Sequence, residues 1–273
     1  TDVLLYNLAS KKSFNLGNIS EFSFNKAGDQ LAYIVDANGQ NGNGVFIRDM
    51  KTGITTALDN DKANYKSINW NEEGNAFALL KSNKNEKYKD DVFSIIGISK
   101  INGDLTSKVI YNGIDDTTFP KGMGINTNAS PYWSDDQTTI FFGINSLTAK
   151  DDKKPEVKTD STKTAVKPEP KKEDLEKPDM IIWNWQDRRL QSAQQTQEAR
   201  DKSFSYTSSY RIADKKFTQL ADSNMRSVTV APKQLYAIGY DNTNYELSGN
   251  LDGQSYTDVY LIDLKTGNKK RLF

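Results

Sequence analysis

Two kinds of hairpin alternate along the chain, aromatic residues reach 11%, and helical periodicity is nearly absent; together these predict an all-β fold. One hairpin of each kind makes a four-stranded unit, and units of roughly 40–50 residues with four strands each are blades of a β-propeller. The sequence therefore predicts a β-propeller of four-stranded antiparallel blades. It is expected to be partial, an open arc of about four blades plus a half-blade.

The first kind of hairpin is an aromatic-alternating strand, a polar turn and an apolar strand. It runs from Phe22 to Ile34, from Ile68 to Leu80, from Pro131 to Phe142 and, in degenerate form, from Val228 to Ile238. Gly28 and Gly74 fall where the turn needs a left-handed residue, which glycine adopts without steric cost. The downstream strands, such as Ala76-Phe77-Ala78-Leu79-Leu80, are almost wholly apolar, as befits a strand buried on both faces.

The second kind is a strand, a tight polar turn and a shorter strand ending in an apolar residue. Val45 to Gly53 leads to Leu58, and Val259 to Gly267 leads to Leu272. Leu4 to Lys12 leads to Leu16, Ser209 to Lys216 leads to Leu220, and Val92 to Ile96 runs toward Asn102-Gly103 and Val109-Ile110. In Asp49-Met50-Lys51-Thr52-Gly53 and Asp263-Leu264-Lys265-Thr266-Gly267 the Asp side chain is placed to accept from amides two residues on, with Gly closing the turn. The expected units are a half-blade at 4–17 and blades at 20–58, 65–111, 129–220 and 227–273. The half-blade has no first-kind partner, so exposed faces and edges are expected on the terminal sheets.

The blade at 129–220 is enlarged. Its segment Ala149 to Pro178 holds nine Lys, eight acidic residues and four of the seven Pro, with no aromatic residue. Such a stretch buries too little apolar surface to offset its ordering entropy, so a disordered, protease-sensitive surface loop is expected. The one helical candidate is Arg188 to Asp201, whose run Gln191-Ser192-Ala193-Gln194-Gln195 leaves little apolar face.

Composition excludes several chemistries. The chain has no His and no Cys, so it lacks Ser-His-Asp and Cys-His machinery, ordinary zinc sites and disulfides. The 36 basic and 36 acidic residues balance, leaving no electrostatic footprint for nucleic acid or an anionic membrane. No apolar run approaches the roughly 20 residues of a membrane helix. The opening at Thr1-Asp2, without Met, reads as a processed or trimmed product. No Gly-x-Ser-x-Gly elbow occurs, and the Gly39 to Gly44 stretch lacks both dinucleotide and Walker spacing. No cofactor is expected. Asp36, Asn38, Asp59, Asp61 and Asp241 offer oxygens but form no calcium-loop pattern. The inner strands read as Phe22-Ser23-Phe24, Ile68-Asn69-Trp70, Tyr132-Trp133 and Val228-Thr229-Val230 carry no acid, which argues against a propeller glycosidase.

Trp70 and Trp133 occupy equivalent repeat positions and read as packing between blades, with a stacking platform for a ligand as the alternative. Trp183 and Trp185 share one strand face by their i, i+2 spacing; they are the candidate ligand contacts, with core or rim packing as the competing reading.

Pro131-Tyr132-Trp133-Ser134-Asp135-Asp136 followed by Ile140-Phe141-Phe142 resembles the TolB-type propeller repeat, with Asp135 and Gln137 where that repeat prefers Pro and Gly. The stretch Lys177 to Gln191, containing Trp183-Asn184-Trp185, is similar to the propeller region of bacterial serine peptidases of the prolyl oligopeptidase family. That resemblance implies a non-catalytic propeller that limits entry of short peptides to a C-terminal α/β-hydrolase domain not found in this chain. It further implies a periplasmic or secreted setting. A stand-alone TolB-like module that binds a protein partner is the alternative.

Overall fold

The computed structural model describes residues 1–83, 85–101, 106–150, 184 and 186–273. Its elements are almost all antiparallel strands that follow one another as meanders. A two-stranded sheet comes first, β1 (Val3–Tyr6) and β2 (Ser13–Leu16). A four-stranded sheet follows, with β3 (Ile19–Phe24), β4 (Gln30–Val35), β5 (Gly44–Asp49) and β6 (Thr55–Asn60) in sequence order. Next come β7 (Tyr65–Trp70), β8 (Phe77–Asn83), β9 (Val92–Ser99) and β10 (Ser107–Tyr111). The third blade is β12 (Tyr132–Trp133), β13 (Thr139–Ser146), β14 (Tyr206–Arg211) and β15 (Lys216–Gln219), preceded by the short β11 (Met123–Ile125). The last is β16 (Ser227–Val230), β17 (Tyr236–Asp241), β18 (Asp258–Asp263) and β19 (Lys269–Arg271).

Strand alternation explains why these sheets stack. In β4, Leu31 and Tyr33 face the first sheet, while Ala32 and Ile34 face the β7–β10 blade. In β8, Phe77 and Leu79 pack back toward β4 and β5, and Ala78 and Leu80 pack forward against Trp133, Ile140 and Phe142. In β13, Phe141 turns the other way and meets Met225, Ala237 and Ile262 of the last blade. Each central strand thus serves two cores, which is why its sequence is apolar at consecutive positions. Each buried Leu, Ile or Phe among them is worth about 1.5–3 kcal/mol on burial.

The predicted turn chemistry is present. Gly28 and Gly74 both have φ of +71°. Asp49 Oδ1 accepts from the amides of Lys51 and Thr52 at 2.8 and 2.7 Å, and Asp263 Oδ1 accepts from Lys265 and Thr266 at 2.9 and 2.8 Å. Gly53 and Gly267 close these turns at φ +74° and +82°.

Three features add to the strand pattern. First, β11 pairs with β13 and, through Ile125, with Phe93 of β9, so the second and third blades form one continuous nine-stranded sheet. Second, the helical candidate at Arg188 to Asp201 forms α1 (Gln191–Lys202), and, as its polar run implies, none of its residues is buried. Third, a short helix α2 (Glu246–Asp252) interrupts the last blade. Residues 151–178 of the charged insertion lie outside the described residues, while Ala149, expected within that loop, pairs with Tyr88 in an isolated bridge.

No ladder or buried cluster joins β1–β2 to β16–β19, so the propeller is open among the described residues. Leu4 and Tyr6 at one end, and Tyr236 and Tyr240 at the other, are exposed.

Candidate functional site

A meander places the turn after a blade's first strand, and that after its third, at one rim. The connection after the second strand, and the crossing to the next blade, lie at the opposite rim. The two rims differ in chemistry. The first consists of tight turns that bond to one another. Asn25 Nδ2 donates to the Gly74 carbonyl at 3.1 Å, Gln137 Nε2 to Asn75 Oδ1 at 2.7 Å, and Gln234 Nε2 to Asp135 Oδ1 at 3.0 Å. Gln234 Oε1 also accepts from the Asp135 amide at 2.9 Å. Gln137 and Gln234 stand where the earlier repeats have Gly28 and Gly74, and both hold a left-handed φ, +55° and +44°. Each spends its side chain on the preceding blade, which offsets the strain a non-glycine residue meets there.

Among the described residues, the opposite rim carries the long connections, α1, α2 and several clefts. One cleft of about 440 Å³ lies between the second and third blades, walled by Asp90, Asp91, Asn126, Asn128, Asn145 and Lys202. Here Ser205 Oγ donates to Asn126 Oδ1 at 3.0 Å, and Asn145 Nδ2 donates to the Phe204 carbonyl at 2.9 Å. Asn126 Nδ2 is buried without a partner. The second cleft, about 530 Å³, lies beside α1 and the last blade. Its charges alternate: Arg189 pairs with Glu246 of α2 and, at 2.9 Å, with Asp201, and Asp201 also receives Arg226 at 2.9 Å. Burial works against the charge of Arg189, but Glu246 and Asp201 outweigh it and raise its pKa. Such an arrangement can bind carboxylates, amides and cations. It holds no nucleophile–base pair.

Several residues singled out in the sequence serve packing. Trp133 is buried and donates its indole N–H to the Phe77 carbonyl at 2.9 Å; Trp70 donates likewise to the Ser23 carbonyl at 3.1 Å. Both therefore bond the preceding blade. Gly97 leaves room for this, since a Cβ there would meet Trp133 Cζ2 at 2.6 Å. Trp183 and Trp185 lie outside the described residues. The reading of acid-free inner strands needs correction, because β3 begins at Ile19 and so includes Glu21. Its two oxygens are taken by the amides of Ser67 and Ile68, at 2.7 and 2.6 Å, so it stabilises the next blade.

Asp59 and Asp61 do not gather around a cation vacancy but share Lys81, at 2.9 and 3.0 Å. Burial opposes ionisation of Asp59, and hydrogen bonds from Tyr65, Lys81 and Lys108 outweigh it, holding the carboxyl below its usual range. Asp61 is lowered by Lys81, and Asp49 and Asp263 by the turn amides of Thr52 and Thr266. These folded-state values lie below the unfolded ones. Their stabilisation is therefore complete above the unfolded carboxylate pKa and is lost as pH falls through the folded one. With no His to titrate, the melting temperature is expected to stay level between about pH 6 and 8 and to fall steeply below about pH 4. A melting temperature that rises on acidification would contradict this.

The described residues thus form an all-β propeller of four-stranded antiparallel blades, open, with one rim of tight turns and one elaborated rim. No family model matches the chain, and no curated protein matches it. Solved structures similar to it include the β-propeller domain of the Trilobed protease from Pyrococcus furiosus, at 10% identity and TM-score 0.41, covering 99% of this chain and 63% of that one. An acylaminoacyl peptidase from Pyrococcus horikoshii is similar at 10% identity and TM-score 0.40, covering 99% of this chain and 34% of that one. TolB from Acinetobacter baumannii is similar at 8% identity and TM-score 0.37, covering 99% of this chain and 48% of that one. The chain thus spans less than two thirds of each of these. Among the described residues, no helix is long and apolar enough to cross a membrane.

Proposed function

We propose that this chain is the non-catalytic propeller segment of a prolyl oligopeptidase- or dipeptidyl peptidase-like serine peptidase, acting in the periplasm or outside the cell. It gates the access of short peptides to an α/β-hydrolase domain, which is its structural partner. The observation that supports this best is the chemistry of the rim that carries the long connections. It presents clefts of about 440 and 530 Å³ lined by amides and charges, the size and chemistry of a short peptide's polar groups. The Trp183-Asn184-Trp185 context and the lack of His add to the reading.

The test is the reading frame of the parent gene. A Gly-x-Ser-x-Gly motif followed by Asp and His beyond the Phe273 codon is expected. A stop codon directly after Phe273 would overturn the reading in favour of a stand-alone interaction module. The purified chain should also leave aminoacyl- and prolyl-nitroanilides unhydrolysed, since no residue can act as the imidazole base of a serine nucleophile. Turnover by homogeneous protein would contradict that.

A further inference from the structure

The helix α1 is an odd element. It sits on the elaborated rim, yet it has no buried residue to anchor it. Charge holds it instead. Arg189, just before the helix, pairs with Glu246, and Asp201, in its last turn, accepts from Arg226 Nη1 at 2.9 Å. The other oxygen of Asp201 accepts from Arg189 at 2.9 Å. Arg226 belongs to the connection entering β16. Its guanidinium carbon lies 4.0 Å from the centre of the Phe204 ring, which fixes the orientation of the fork. The cleft alongside is lined by Arg200, Phe204, Arg226, Tyr240, Asn242 and Thr257.

We propose that this cleft takes a carboxylate of an acidic peptide, and that Asp201 holds the peptide's place on Arg226 until it arrives. The cleft is one of the two on which the peptidase reading rests, but carboxylate binding there needs no hydrolase domain, so the failure of one is distinguishable from the failure of the other. A guanidinium fork fits a planar carboxylate in two-point fashion, and Arg226 is already oriented to offer it. The resident carboxylate is easily displaced. The side chains of Arg226 and Asp201 are 33% and 40% exposed, so water and salt screen the pair. No residue of α1 is buried, so its lifting opens no core. Arg200 adds a second guanidinium to the cleft wall, and Tyr240, Asn242 and Thr257 supply hydroxyl and amide groups suited to a peptide backbone. Displacement of Asp201 would loosen the C-terminal end of α1 and widen the cleft.

The chain has no Cys, so Gln195→Cys with Asn244→Cys places two spin labels uniquely on exposed positions, one on α1 and one on the last blade. Pulsed electron paramagnetic resonance reads their separation, and calorimetry reads binding. Acetylated, amidated tri-glutamate is expected to bind saturably and lengthen the separation, whereas tri-glutamine of the same form and inorganic phosphate do neither. Raising NaCl from about 0.05 to about 1 M should lengthen the separation without peptide. Asp201→Asn removes the internal competitor, so it should tighten tri-glutamate binding about two- to fivefold, the range that half-exposed ion pairs support. Arg226→Gln should abolish binding. The far-ultraviolet circular dichroism of both variants should match that of the parent, since neither side chain lies in a sheet core. The proposal is overturned if tri-glutamate does not saturate, if tri-glutamine or phosphate binds equally, or if Asp201→Asn binds no tighter. The wild-type peptide response stands as a test even where a variant misfolds.

Discussion

Trp133→Ala is expected to lower the free energy of unfolding by about 3–5 kcal/mol, the range for removing a buried aromatic ring from a packed core. Trp133 is 3% exposed and fills the space between the second and third blades, against Gly97, Ile140 and the strand that carries Phe77. Two losses add together. The ring leaves a cavity whose walls are strands, which cannot collapse without breaking ladders. The Phe77 carbonyl also loses the indole N–H that bonds it at 2.9 Å. Trp133→Phe keeps part of the volume and loses the bond, so it should fall between the parent and Trp133→Ala. Urea unfolding checks this. A shift in Trp133→Ala below about 1 kcal/mol would mean that the blades do not depend on this contact.

Glu21→Ala comes second, at about 2–3 kcal/mol. Glu21 reaches from β3 to the next blade's inner strand, where a register shift between Lys66 and Asn69 leaves two amides facing away from the ladder. Its carboxylate accepts both, from Ser67 at 2.7 Å and Ile68 at 2.6 Å. Ser67 is held at φ +64°, a conformation that a serine adopts only when its surroundings impose it. Alanine leaves the two donors without their acceptor and the strain without its restraint. Glu21→Gln should recover only part of the loss, because its amide presents one acceptor and aims a donor at the second N–H. Equal stability of Glu21→Ala and the parent in denaturant titrations would show that water replaces the carboxylate at no cost.

These two side chains illustrate what a linear reading can find. Trp133 was legible because it recurs: it stands where Trp70 stands in the preceding repeat, and both indoles bond the blade before them. The Asp49 and Asp263 turns were legible because a side chain bonding amides two and three residues away is a local event. Glu21 was missed. Its partners lie 46 and 47 residues on, in a bulge that no pattern in Ser67-Ile68 announces. Gln137 appeared as a departure from the glycine of the repeat, with no sign that its side chain would reach Asn75.

Local sequence pattern specifies the all-β class, the two alternating hairpins and the turns that close them, and composition excludes imidazole and thiol chemistry. Periodicity and turn propensity act over a few residues, so they can be read without knowing what lies across the sheet. Tertiary packing alone sets the joining of two blades through β11, the meeting of Arg189, Asp201, Arg226 and Glu246 beside α1, and the hydrogen bonds between turns of adjacent blades. Those outcomes depend on which residues the stacking of blades brings within hydrogen-bonding distance. That distance is fixed by the packed cores between sheets, and residues far apart in the chain contribute to each of them.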